Sequence, residues 1–290
     1  QILNNMKIKH LLCFIALCLF FTPGKAQQLS VMTLRNGATV YIWEDKSKPD
    51  VFGMIAFKVG SVDDPEQYTG LAHYLEHVMF KGTQTIDALD WEKEKPIYEK
   101  IIAKYDERAA LSDPAAREAI DKEINDLTRE AAQYAAGNEF SLLVDHMGGQ
   151  GLNASTGYDQ TEYHNSFPPS QLEKWLEIYS ERLIDPVFRG FQTELEAVYE
   201  EYNMYNDDRG SRMREFIYEQ AFGDHPYARP IIGLPEHLKN PQLSKLIDFY
   251  NTWYGPQNMS IILVGNIDAK EAIPMIRDKF ERVPRRAEIQ

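Results

Sequence analysis

From Gly70 to Lys81 the chain reads Gly-Leu-Ala-His-Tyr-Leu-Glu-His-Val-Met-Phe-Lys, and this stretch sets the strongest condition on what the sequence can fold into. Nothing between residues 71 and 81 breaks a helix, and Tyr68-Thr69-Gly70 marks its start. Residues four apart on a helix lie one above the other. His73 and His77 therefore present two imidazoles to one point, and Glu76 reaches the same space. Leu71, Leu75, Val78 and Met79 make the helix largely buried. Buried imidazoles and carboxylates are costly unless they are paired or metal-bound. Two neutral imidazoles, one further anionic ligand and an open position describe a catalytic zinc site. A spare carboxylate suits the proton transfer such a site needs. The order H-x-x-E-H is also an inverted zinc-binding signature. The competing reading is a solvated helix on which these residues meet by chance, and the apolar flanks argue against it.

The first residues have a different character. Met6-Lys-Ile-Lys-His10 is basic, Leu11 to Phe21 is apolar, and Thr22-Pro-Gly-Lys-Ala26 ends in a small residue. That order predicts a secretory signal peptide over residues 1–26, cleaved after Ala26, and hence a periplasmic or extracellular protein. The apolar run is too short for a comfortable membrane span. Both cysteines, Cys13 and Cys18, fall inside it. The mature chain, 27–290, then has neither a disulfide framework nor a thiol nucleophile. With 31 Lys+Arg against 44 Asp+Glu, the net charge is −13. That balance argues against nucleic acid and anionic membrane surfaces, and it is compatible with neutral or basic peptides.

Ser30–Leu34 and Ala38–Trp43 read as strands joined by the Asn36-Gly37 turn. Val51–Val59 is a third strand. From Trp91 to Ala136 the sequence turns rich in Glu, Lys, Ala and Ile, and it splits at Ser112-Asp113-Pro114. Asp113 suits an N-cap and Pro114 a first helical position. The pattern predicts an antiparallel hairpin of helices, about 91–111 and 114–136. Ile97, Ile101 and Tyr105 would face Ile120, Ile124 and Leu127, with Pro96 kinking the first helix or delaying its start. A helix over 138–147, strands over 151–156 and 159–167, and an amphipathic helix over 170–184 follow. A long helical stretch over 191–222 is interrupted near Asp207–Gly210. Pro235–Trp253 is mainly helical, Met259–Val264 is a buried strand and Asp268–Phe280 a closing helix. Strands and helices mix without strict alternation. The expected class is α+β, a mixed, mostly antiparallel sheet with helices packed on one face and a helical hairpin inserted at about 91–136.

The third metal ligand must come from another element. Residues 194–205 offer Glu194, Glu196, Glu200 and Glu201. Glu194 and Glu201 are seven apart and share a face, whereas Glu200 is turned by about 100° from Glu201.

Gly70 to Thr83 resembles the active-site helix of the pitrilysin/insulinase family of zinc metallopeptidases. Gly151-Leu-Asn-Ala-Ser-Thr156 and Glu194-Leu-Glu-Ala-Val-Tyr-Glu-Glu201 resemble later motifs of the same family. The resemblance runs from about residue 30 to the C-terminus. It implies one Zn2+ held by His73, His77 and Glu201, with Glu200 the second choice for the third ligand. Glu194 is implied as a supporting carboxylate of the catalytic set, and Glu76 as the proton carrier. It also implies an edge strand at Asn153 and Ala154 that pairs with an extended peptide. The distance from His77 to Glu201 exceeds that of compact family members, and removing a helical hairpin would restore it. The family usually carries a second, similar domain that closes over the first. The chain stops near what looks like the end of the first domain, so that partner is expected in cis beyond Gln290 or in trans. The expected function is an exported zinc endopeptidase domain acting on peptides or unfolded segments. The alternative is a non-catalytic or weakly active peptide-binding half-clamp. His164, His146, His225 and His237 read as structural or solvent-facing.

Overall fold

The Asn36-Gly37 turn joins β1 (Leu29–Thr33) to β2 (Thr39–Glu44), which pair antiparallel. Gly37 adopts φ +103°, a region that disfavours a Cβ. Asn36 is buried and its amide donates to the carbonyls of Phe280 and Val283. These elements belong to a computed structural model that describes residues 29–286. The expected signal peptide lies outside the described residues.

Four further strands complete the sheet: β3 (Val51–Phe57), β4 (Gln150–Thr156), β5 (Thr161–Phe167) and β6 (Met259–Gly265). Their order is β1-β2-β6-β3-β5-β4. Only the β2–β6 pair is parallel. The late strand β6 thus fills the centre, between two strands from the first sixty residues. Along β3, β5 and β6 every second residue is buried and those between are half-buried. That alternation is what one core-covered face demands of a pleated strand. Val40, Ile42, Ile55, Tyr163, Ile261 and Leu263 line this face.

Ten helices are described. α1 (Leu71–Val78) carries the paired histidines. α2 (Trp91–Ala110) and α3 (Pro114–Ala131) form the expected hairpin, capped by Asp90 and Asp113. Ile97, Ile101, Tyr105, Ile120 and Ile124 are buried along its seam, with Leu127 packed beside them. Pro96 lies inside α2 and does not delay its start at Trp91. Then come α4 (Glu139–His146) and α5 (Leu172–Glu181). α6 (Phe191–Asp207) and α7 (Arg209–Phe222) are separated at Asp208, which leaves helical geometry and caps α7 by accepting from the Ser211 N–H. α8 (Pro235–Leu238), α9 (Leu243–Trp253) and α10 (Ala269–Phe280) close the fold. Trp175, Leu176 and Tyr179 of α5, Leu243 and Leu246 of α9, and Ala272 and Ile276 of α10 are buried in the same core.

Candidate metal centre

α1 is held at both ends. Gly70 takes φ +89°, and a Cβ there would lie 2.6 Å from the carbonyl oxygen of Ile232. The buried Asp64 accepts from the Gly70 and Ala72 N–H groups at 2.7 and 2.9 Å. These are donors that the first turn of a helix leaves without partners. His237 Nδ1 accepts from the Thr69 N–H at 3.2 Å and lies 2.8 Å from the Thr69 hydroxyl. His237 therefore fastens the approach to α1, a role its sequence context gave no sign of. At the far end, Arg182 donates to the Met79 carbonyl.

Burial of Leu71, Leu75 and Val78 turns His73, Glu76 and His77 towards one cleft. The two imidazole rings lie 4.9 Å apart. Glu201, reached through α6, places Oε2 3.6 Å from His73 Nε2 and 3.6 Å from His77 Nε2. All three ligand atoms lie within 4.8 Å of one another. These gaps are longer than hydrogen bonds. They are close to the roughly 3.3 Å that separates donors around a tetrahedral zinc with bonds near 2.0–2.1 Å. Two nitrogens and one carboxylate oxygen form the donor set that zinc takes with an open fourth position. The residues fit the ion.

Glu194 sits one step behind. Its Oε2 is 3.5 Å from His77 Nδ1, the ring nitrogen turned away from Glu201, and its Oε1 is 2.5 Å from Lys81 Nζ. A carboxylate on the far nitrogen of a ligating histidine orients the ring and raises its basicity. Glu200, the second choice for third ligand, lines a separate groove with Glu196, Arg108 and Lys239. The 100° turn between neighbouring helix residues separates it from the imidazoles.

Glu76 is buried and accepts from the Thr156 hydroxyl at 2.5 Å. Burial raises its pKa, against the opposing pull of Thr156 and His77. His73, nearly enclosed, is pushed down to about 3 by burial and by the neighbouring His77. It is therefore neutral at ordinary pH, the form a metal requires. For His77 burial acts downward, but Glu194, Glu76 and Glu201 outweigh it and raise the pKa. The cleft has a volume of about 860 Å³. Asn153 and Ala154 line it from β4, an edge strand of the sheet. Thr156, Lys81, Tyr205 and Arg214 also line it. Of these, Lys81 and Thr156 stood inside motifs already recognised in the sequence, whereas Tyr205 and Arg214 had no local signal.

Over residues 39–95 and 127–234 the sequence matches the family described as insulinase, peptidase family M16. The chain belongs to that family. The insulinase-family match skips 96–126, a segment inside the α2–α3 hairpin. A second match, described as the peptidase M16 inactive domain, covers 242–290. The boundary between the two matches is not a boundary of the sheet, because β6 lies between β2 and β3. Among the relatives is the probable zinc protease PqqL of Escherichia coli, 25% identical over 270 residues, covering 89% of this chain and 23% of the relative. The zinc protease PqqE of Helicobacter pylori is 24% identical over 254 residues, covering 86% and 46%. The fold is similar to a Helicobacter pylori protease (TM-score 0.70, 22% identity), covering 91% of this chain and 52% of that one. It is also similar to the first half of the periplasmic protease PqqL from Escherichia coli (TM-score 0.67, 25% identity, 91% and 49%). The chain spans less than half the length of these two curated relatives.

Proposed function

We propose that this insulinase-family chain is the metal-binding half of an exported zinc endopeptidase that hydrolyses peptides or unfolded segments. The observation that carries the reading is the meeting of His73 Nε2, His77 Nε2 and Glu201 Oε2 around one point, with Glu76 beside it. His73, His77 and Glu201 would hold Zn2+, which when bound acidifies a water and polarises a carbonyl. Glu76 takes the proton from the attacking water and returns it to the departing amine. Thr156 holds the Glu76 carboxylate in place through its hydroxyl. Glu194 orients His77, and Lys81 keeps Glu194 ionised. The free edge of β4, with Asn153 and Ala154 in the cleft, offers main-chain pairing to an extended peptide. Such pairing binds many sequences with little regard to side chains.

The basic and apolar residues preceding Ala26 support export, as does the likeness to PqqL, a periplasmic protease of Escherichia coli. No helix among the described residues is long and apolar enough to cross a membrane. A second homologous half, in cis or in trans, is supported by the half-length coverage of the solved relatives. By itself, this half is a peptide-binding clamp with little activity.

The test is Glu76→Gln in the protein with its second half present. Zinc content should be retained, and hydrolysis of a peptide pool should fall to background. Undiminished hydrolysis in that variant would reject the mechanism.

A further inference from the structure

Besides its imidazoles the cleft is lined by two strong cations, Lys81 and Arg214. Lys81 is neutralised by Glu194, 2.5 Å away. Arg214 is not. Among the described residues its guanidinium has no carboxylate at ion-pair distance, and its side-chain hydrogen bond is to Ser211 Oγ at 3.3 Å. Of the two, Arg214 is therefore the cation left available to a ligand in the cleft.

Arg214 is an exposed residue of α7 that lines the cleft. It lies four residues before Tyr218 on α7, so the two share a face. Tyr218 stacks on Tyr158, with centroids 5.3 Å apart and planes 10° from parallel. Tyr158 follows β4, and its ring also meets Tyr227, whose hydroxyl donates to Asp159 at 2.6 Å. This aromatic cluster ties α7 to the β4–β5 turn. The charge of Arg214 is felt by Tyr158 on that side and by Tyr205 on the other, and Tyr205 stands beside Glu201. Asp208, which caps α7, also feels it. The guanidinium thus lines the same cleft as Asn153 and Ala154 of β4 and Glu201 of α6. A guanidinium is a planar fork that matches a carboxylate in two hydrogen bonds.

We propose that Arg214 is a specificity-determining residue. It selects peptides that present a carboxylate to α7 while their main chain lies along β4. The carboxylate is either an Asp or Glu side chain or the free C-terminus of the peptide. The proposal rests on the peptidase reading above. Glu215, the next residue, also lines the cleft and is turned by about 100° around the helix. It repels the same anion, so its removal strengthens the preference.

The test reads binding, in the full-length protein carrying Glu76→Gln, by fluorescence anisotropy. One pair of peptides differs by Asp against Asn at each position in turn. A second pair has a free or an amidated C-terminus. The expected preference for the acid is about twofold to fivefold in Kd, the range for an exposed charge contact. In R214Q the ratio should collapse towards one, in R214E it should invert, and in E215Q it should rise. Discrimination only within the Asp/Asn pair assigns the side chain as the source, and discrimination only at the terminus assigns the C-terminus. Equal affinity for all peptides, or a preference that survives R214Q, would overturn the proposal. The readout is binding rather than hydrolysis, so an inactive parent protein would count against the peptidase reading and leave the role of Arg214 to the binding data.

Discussion

Arg182 Nη2 donates a 3.0 Å hydrogen bond to the main-chain carbonyl of Met79, where the helix of His73 and His77 ends. Arg182 is only 2% exposed, and no described carboxylate pairs with it. Its guanidinium lies over the rings of Phe80, Phe140, Tyr163 and Tyr179, with 4.4–5.5 Å to the centroids. Burial lowers its pKa, and the surrounding tyrosines act the other way. A cation here satisfies a carbonyl that the helix leaves without a partner, and it complements the helix dipole. Arg182→Met keeps the bulk but loses the hydrogen bond and the ring contacts. It should cost about 2–4 kcal/mol in urea unfolding. A variant as stable as the parent would show that the cost of burying the charge cancels those contacts.

The three acids of α6 should separate cleanly. Glu201→Gln removes the proposed third ligand and should weaken zinc by more than the roughly 10–100-fold typical of an outer partner. Glu194→Gln removes the partner of His77 Nδ1 and should fall within that range. Glu200→Gln, facing another groove, should leave zinc affinity unchanged. Competition with a chromogenic chelator measures all three. Equal losses for Glu200→Gln and Glu201→Gln would refute the assignment.

Asp64 gives a pH prediction. Burial pushes its carboxyl up to about 7 from the ordinary 3.8, although Ala72 and Gly70 donate to it and Arg229 lies near. Between those two values the folded chain holds a proton that the unfolded chain has released. Stability contributed by Asp64 is therefore fully present below about pH 4 and declines as pH rises towards 7. Asp64→Asn cannot ionise. Its stability relative to the parent should improve from pH 4 to pH 7 and level off above. Chemical unfolding of the metal-free proteins across that range would reveal the slope, and a difference independent of pH would contradict it.

Gly53 faces the core in β3, where a Cβ would lie 2.5 Å from Trp175 Cζ2. Trp175 cannot retreat freely, because its Nε1 donates to Asn165 at 2.8 Å and its ring stacks on Phe167 and Tyr179. Gly53→Ala should cost about 1–3 kcal/mol as an overpacked core site. Differential scanning calorimetry should register a lower Tm, and an unchanged Tm would mean the ring can shift.

Much of the architecture was legible in the sequence because it is dictated by neighbours along the chain. The Asn36-Gly37 turn, the strands at 51–59 and 259–264, the Asp113-Pro114 start of α3 and the break at Asp208 are each decided within a few residues. The pairing of His73 with His77 is likewise a property of one helical turn. The face shared by Glu194 and Glu201 followed from spacing alone, and the family resemblance then singled out Glu201.

Other features depend on segments that meet only after folding. Thr156 reaches Glu76 across 80 positions, and His237 reaches Thr69 across 168. Arg182 finds Met79 across 103, and β6 enters between β2 and β3. No local pattern encodes such meetings, because they are set by how the whole core packs around one sheet. The sequence by itself determined which groups could handle a metal and a proton. The tertiary structure decided which distant side chains hold those groups in place, and that an arginine of α7 faces the cleft without an acid of its own.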